Sequence, residues 1–289
     1  MTYPGTLLRT SNLLAKKELG QNFLADPKAA ERIVNLARIS KDDIVLEIGA
    51  GFGALTVHAA KQAAKIYAVE KDTRLIEILE NELALASINN VELIHKDIFK
   101  VDIKNIAYDH KDSGKLVVIG NLPYNISSQV LFRLVENRDF ISRAVLMFQK
   151  ELAERISSPP GNRDYGRLSA VMQYCSTVKN LTNVGANLFF PKPAVESRVI
   201  EVNFFTPDLY ETSGSCYLPH EQEVFLFKVI KAAFSKRRKT LRNSLAGSEL
   251  ELSKGQIEKG LAVAEIDPER RAETLCVKEF IKLSLALCS

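Results

Sequence analysis

The chain has 289 residues, 46% of them hydrophobic, enough for a sizeable core and for two domains. No apolar run approaches the roughly 20 residues that span a bilayer. The first twenty residues carry Arg9, Lys16 and Lys17 without the apolar centre of a signal peptide, and read as a basic arm on the first domain. A formal net charge of +4 permits a nucleic-acid partner without demanding one.

In chain order a strand-then-helix rhythm emerges. DPKAAERIVNLAR predicts a helix capped by Asp26, with Pro27 in its first turn and Ala30, Ile33, Val34 and Ala37 on one face. DIVLEIG (43–49) reads as a buried parallel strand ending in glycines, followed by a helix near 54–63 and a strand KIYAVE (65–70). Asp72 can cap a helix carrying Leu75, Leu79 and Leu83. VELIHKD (91–97), KLVVIGNL (115–122) and AVLMFQK (144–150) supply three further strands. NLTNVGA (180–186) and RVIEVNFF (198–205) suggest an antiparallel, hairpin-like edge. Residues 206–220 are rich in Pro, Gly and Ser, and everything beyond 221 is helical in pattern. The expectation is an α/β Rossmann-like domain over 1–205, a linker over 206–220 and a small all-α domain over 221–289. Cys175, Cys216, Cys276 and Cys288 are scattered, with no Cys or His at zinc-ligand spacing, and read as reduced packing residues of a cytosolic protein without a metal.

Ligands of doubly wound sheets bind beyond the carboxyl ends of the strands, where strand order reverses. The first strand ends E-I-G-A-G-F-G, so Gly49, Gly51 and Gly53 let backbone approach a ligand at a helix start. The sixth position of a dinucleotide fingerprint is Ala54, which favours a nucleoside ligand lacking a pyrophosphate, as in S-adenosylmethionine-dependent methyltransferases. Glu70 ends the next strand, where a carboxylate accepts from ribose hydroxyls, and Asp97 ends the third, within reach of an adenine amine. On the fourth strand Asn121 is followed by L-P-Y. An adenine amine is a poor nucleophile because its lone pair is delocalised into the ring. The Asn121 side-chain oxygen and the Leu122 carbonyl, in a turn stiffened by Pro123, can accept its two N–H bonds and aim the lone pair, while Tyr124 stacks on the base. Taken alone, the same four residues make an ordinary turn at a strand end.

LGQNFL (19–24), EIGAGFGALT (47–56), GNLPYNISS (120–128), MFQKELAERI (147–156), YGRLSAVMQ (165–173), FFPKPAVESRV (189–199) and AFSKRRKTLRNSL (233–245) occur in one order. With these motifs the chain resembles the KsgA-type ribosomal RNA adenine dimethyltransferases, from about residue 16 to 275. The resemblance implies a class I S-adenosylmethionine-dependent methyltransferase fold with a helical C-terminal domain. It implies cofactor contacts at Asn22, Leu24, Gly49, Gly51, Glu70, Asp97 and Asn121, and base contacts at Asn121, Leu122, Pro123 and Tyr124. Phe189 would stack opposite Tyr124, with the adjacent Phe190 hard to tell from it. The implied reaction is N6-dimethylation of two neighbouring adenosines in the 3′-terminal hairpin loop of small-subunit (16S) rRNA, late in 30S assembly, by a monomeric cytoplasmic enzyme. The sulfonium methyl is already activated, so orientation and desolvation carry the chemistry without a general base. His58, His95, His110 and His220 fall in no motif.

SKRRKTLR places Lys236, Arg237, Arg238, Lys239 and Arg242 in one helical stretch, a phosphate-binding surface or a merely solvated face. Arg155, Arg163 and Arg167 could extend it. A large-subunit rRNA dimethylase, a DNA adenine methyltransferase and a non-catalytic assembly factor are the rival readings.

Overall fold

The computed structural model describes residues 2–110, 114–205, 218–236 and 238–288. Two compact units result: residues 1–153 with 179–204, and 154–178 with 205–289.

The first unit begins with helix α1 (Pro4–Thr10), whose Leu7 and Leu8 are buried, and a two-residue strand β1 (Phe23–Leu24). Helix α2 (Pro27–Leu36) starts where Asp26 accepts a 2.7 Å hydrogen bond from the Ala29 amide, and buries Ala30, Ile33 and Val34. A strand-helix alternation follows: β2 (Ile44–Ile48), α3 (Thr56–Ala60), β3 (Lys65–Glu70), α4 (Thr73–Leu85), β4 (Val91–His95), α5 (Ile103–Tyr108), β5 (Leu116–Asn121), α6 (Ser127–Glu136) and β6 (Ile141–Gln149). Every residue of β2 is buried, as a central strand covered on both faces requires. Helix α7 (Lys150–Ser157) and helix α8 (Arg167–Cys175) precede β7 (Ser176–Val184), β8 (Phe189–Phe190) and β9 (Ser197–Phe204).

The seven-stranded sheet has the order β4-β3-β2-β5-β6-β9-β7, and β8 pairs instead with β1. β2, β3, β4, β5 and β6 run parallel in their pairs, whereas β9 is antiparallel to β6. The edge is therefore not a simple hairpin: β9 inserts between β6 and β7, and the chain between β7 and β9 leaves the sheet to form β8. Sheet order reverses between β2 and β5, where β3 departs to one side and β5 to the other. Ligand crevices of this sheet type open at that point.

The second unit is helical, with α9 (His220–Ala233), α10 (Leu241–Leu245), α11 (Lys254–Val263) and α12 (Val277–Cys288). The sequence reading ended the first domain at 205 without a break; residues 154–178 instead group with this unit. The reason is apolar: α8 buries Leu168, Val171, Met172 and Tyr174, and the Tyr174 ring meets Phe227 of α9 edge-on at 5.8 Å. Tyr165 meets Phe234 in the same way at 5.9 Å. Most of the expected linker, residues 206–217, lies outside the described residues, as does Cys216. Cys276 and Cys288 are free thiols, and Cys175 is buried. No helix among the described residues is long and apolar enough to cross a membrane.

Candidate active site

Beyond the carboxyl ends of β2, β3, β4 and β5 lies a cleft of about 1020 Å³ that opens to solvent. Its walls bring together Asn22, Gly49, Gly51, Glu70, Asp97, Asn121, Leu122, Pro123 and Tyr124, residues spread over a hundred positions of sequence. The apolar side chains of Ile48, Val69, Leu75 and Ile98 lie between the polar ones. Few convergent polar groups on an apolar lining is the usual make-up of a small-molecule site.

Glu70 ends β3 and is 8% exposed. Its Oε1 accepts from the Lys71 and Asp72 amides, both at 2.8 Å, and its Oε2 accepts from the Gly51 amide at 2.9 Å. Burial pushes its pKa up, and the three amide donors pull it back. A carboxylate offers about four acceptor positions, so one remains, on Oε2. That position can serve a polar ligand group in the cleft, and Glu70 also pins the glycine loop to the sheet. Gly49 and Gly51 turn that loop with φ of 77° and 57°. A Cβ on Gly49 would meet nothing nearer than the Asn121 carbonyl oxygen at 3.7 Å, so the space it would fill belongs to the cleft.

Asp97 caps a short turn, accepting from the Phe99 amide at 3.1 Å, and pairs with Lys71 at 2.9 Å. Partial burial raises its pKa, but the Lys71 ammonium and the Phe99 amide outweigh this and hold it below the ordinary value. The glycine cradle, one open acceptor position on Glu70, an ionised Asp97 and the apolar walls fit S-adenosylmethionine. When bound, that cofactor supplies a sulfonium-activated methyl group.

At the end of β5, Asn121 donates from Nδ2 to the Asn22 carbonyl at 3.0 Å. This bond fixes the amide's orientation and leaves Oδ1 as the acceptor. The Pro123 carbonyl takes the Ile126 amide at 3.2 Å and the Ser127 hydroxyl at 2.8 Å, which locks the turn into α6. The Tyr124 hydroxyl lies 3.3 Å from Ser197 Oγ, so the ring is tethered at its far end as well.

Two expected residues fall elsewhere. Leu24 is 1% exposed and lines a smaller, water-sized cavity beneath the glycine loop, not the cleft. Phe189 is 4% exposed in the main apolar core, paired in register with Leu24, and cannot stack on a base from there. The pairing of β8 with β1 turns this ring inward. Phe190 is half-buried against Tyr3 and a second small cluster, and does not line the cleft either.

Sequence reasoning missed Glu47. It lies within β2, is 1% exposed, and its Oε2 has no hydrogen-bond partner among the described residues. It lines the smaller cavity, which shares Phe23, Gly49, Gly51 and Asn121 with the cleft. Burial pushes its pKa up to about 8, with Glu70 adding to the shift and Thr56 opposing it. The available signal was an acid set in the otherwise apolar run of IVLEI.

The basic cluster differs from expectation. Helix α9 stops at Ala233, and Lys236, Arg238 and Lys239 lie in the turn before α10, all exposed. The chain must reverse there because Leu241 and Leu245 are fully buried, while the Leu241 and Arg242 amides bond the Arg270 and Pro268 carbonyls at 2.7 and 3.3 Å. Arg242 is ion-paired with Glu269 at 2.7 Å, and Arg237 lies outside the described residues. Arg163 is exposed beside Asp164 at 3.7 Å.

From the acceptor count follows a first prediction. Glu70→Ala is expected to weaken cofactor binding by about 1–3 kcal/mol, the scale of lost hydrogen bonds to a charged group. It should also speed amide exchange at Gly51, which loses its carboxylate acceptor. Calorimetry showing unchanged affinity would remove Glu70 from the site.

Comparison with known proteins gives one family. The model of the ribosomal RNA adenine dimethylase family matches residues 12–286. A ribosomal RNA small subunit methyltransferase A of Desulforapulum autotrophicum is 64% identical over 289 residues, covering 100% of this chain and 98% of that protein. One of Alkaliphilus metalliredigens is 40% identical over 268 residues, covering 93% and 90%. A dimethyladenosine transferase from Plasmodium falciparum superposes with a TM-score of 0.70 at 28% identity, over 90% of this chain and 95% of that one. A 23S rRNA methyltransferase, at 22% identity and a TM-score of 0.64 over 92% and 100%, shares the fold. A family model that matches the chain almost end to end, with relatives 64% and 40% identical over nearly their whole length, carries the assignment: the chain belongs to the ribosomal RNA adenine dimethylase family.

Proposed function

We propose that this S-adenosylmethionine-dependent enzyme dimethylates the N6 amines of two adjacent adenosines in the 3′-terminal hairpin loop of small-subunit rRNA, late in assembly of the 30S particle. It does so in the cytoplasm and as a monomer. The observation that carries this reading is the placement of Asn121, Leu122, Pro123 and Tyr124 in the same cleft as Glu70 and Asp97. Asn121 Oδ1 and the Leu122 carbonyl accept the two N–H bonds of the target amine, drawing its nitrogen toward tetrahedral geometry. Tyr124 stacks on the ring, and the buried walls exclude water. A second methylation needs room beside Asn121 for an amine that already bears one methyl. The small-subunit substrate is favoured over the large by the names of relatives that align along the whole chain.

Transfer of a radiolabelled methyl group to immature small subunits, large subunits and duplex DNA tests the proposal. Label confined to adenosines of the small-subunit RNA is expected. Label in large subunits or DNA would overturn it, and label in none would favour a non-catalytic assembly factor.

Binding of RNA is assigned to the exposed cations before α10. Lys236, Arg238 and Lys239 form no ion pair with a described carboxylate, whereas Arg242 does. Replacing the three with Ala is expected to weaken RNA binding at constant cofactor affinity. The salt dependence should flatten by about one counterion for each phosphate that the variant no longer neutralises. An unaltered slope would leave these cations as a solvated face.

A further inference from the structure

We infer that Asp72 is a positioning residue that latches the segment Leu14–Asn22 over the cleft and couples its docking to the placement of Glu70; the inference rests on reading the cleft as the cofactor site.

Glu18, Leu19, Gly20, Gln21, Asn22 and Phe23 form one wall of the cleft, so the site is complete only when this segment is docked. Apolar packing holds the segment weakly: Leu14 is 83% exposed, and Ala15 packs at the edge of a small cluster. Polar contacts do the holding: Asn121 and Asn125 donate to the Asn22 and Glu18 carbonyls, and two side chains of the segment converge on one carboxylate that Arg74 braces. Gln21 Nε2 donates to Asp72 Oδ2 at 2.9 Å, and Lys16 Nζ lies 3.8 Å from Oδ1. Arg74 donates to both Asp72 oxygens, at 2.9 Å from Nε and 2.5 Å from Nη2, and reaches the Leu14 carbonyl from Nη1 at 3.4 Å. Gln21 gives one acceptor position and one N–H to this arrangement. Its Oε1 accepts the Lys16 amide at 2.7 Å, while its amide nitrogen is turned to Asp72.

Asp72 is 4% exposed and does not line the cleft, so it acts through its neighbours. Its own amide donates to Glu70 Oε1 at 2.8 Å. One residue thus holds the segment with its side chain and the sugar-binding carboxylate with its backbone. The Arg74 guanidinium, with Gln21, keeps Asp72 ionised down to a pKa of about 2, so the latch is charged throughout the physiological range. Asp72 has a further duty, since its side chain accepts the Arg74 amide and caps α4. The test must separate that duty from the latch.

Asp72→Ser does so: serine keeps a good helix cap but is too short and uncharged to hold Gln21, Lys16 and the Arg74 side chain together. Gln21→Glu, which sets two carboxylates face to face and leaves α4 untouched, provides the second variant. Both are measured with S-adenosylhomocysteine as the binding probe, with hydrogen exchange over residues 16–24 and with steady-state methylation of small subunits. If the docked state falls to about a tenth of the population, apparent affinity for the probe drops about tenfold. The cofactor KM should rise similarly, kcat of Asp72→Ser at saturating cofactor should stay within about twofold, and exchange over 16–24 should accelerate until the probe is added. Unchanged affinity and exchange in both variants, with a wild type that binds, would overturn the latch alone. A wild type that does not bind the probe would overturn the reading of the cleft and the latch with it.

Discussion

Asn121→Ala is expected to reduce methyl transfer by about a hundredfold or more while leaving RNA affinity close to that of the wild type. Removing one preorganised polar group from a reacting centre costs about 10²–10³ in turnover, which sets this scale. Affinity survives because phosphate contacts dominate RNA binding, and Asn121 acts on the base amine and not on a phosphate. Asn121→Asp makes the test sharper. It keeps an acceptor toward the amine but loses the Nδ2 donor to the Asn22 carbonyl and places a carboxylate oxygen against it. Its rate should fall between wild type and Asn121→Ala. Tyr124→Ala should lose about 1–3 kcal/mol of base placement, since every base stacks on a ring. Tyr124→Phe should lose far less, because its hydroxyl lies a long 3.3 Å from Ser197. Near wild-type methylation by Asn121→Ala would reduce N-L-P-Y to a turn and sink the mechanism.

Glu47→Gln is expected to stabilise the fold at neutral pH and to flatten the dependence of stability on pH. With a folded pKa of about 8 against an ordinary 4.5, Glu47 stays protonated where the unfolded chain has already released its proton. Stability therefore falls as pH rises from about 4.5 to about 8, by up to about 1.4 kcal/mol per pH unit, and levels off above. Glutamine has similar shape and no proton to lose. The difference between the thermal unfolding profiles of wild type and Glu47→Gln, taken across that window, isolates this group from Glu70, whose pKa is also raised. Parallel profiles would show that Glu47 does not carry the linkage.

By itself the sequence determined whatever depends on short-range periodicity and on residues adjacent in the chain. The capped helix after Asp26, the buried β2, the caps and carboxylates at strand ends and the N-L-P-Y turn follow from local rules, because a strand end and its loop are neighbours in sequence. The cleft residues from β2, β3, β4 and β5 were legible for the same reason: a parallel sheet delivers every strand's carboxyl end to one side. Tertiary structure alone decided features set by long-range pairing. Phe189 lies beside an inviting P-x-P motif, but its direction depends on β8 pairing with β1 across more than 160 residues of sequence. The basic stretch has helical composition, yet burial of Leu241 and Leu245 against distant carbonyls forces a turn through it. Helix α8 follows the first unit in sequence but joins the helical one, since Tyr174 finds its ring partner on α9. Glu47 and Asp72 read as an odd acid and a helix cap; only the fold sets one against an unpartnered cavity and the other beneath a segment fifty residues earlier. In each case the side chain's partner is distant in sequence, and its preference for that partner outweighs any local pattern.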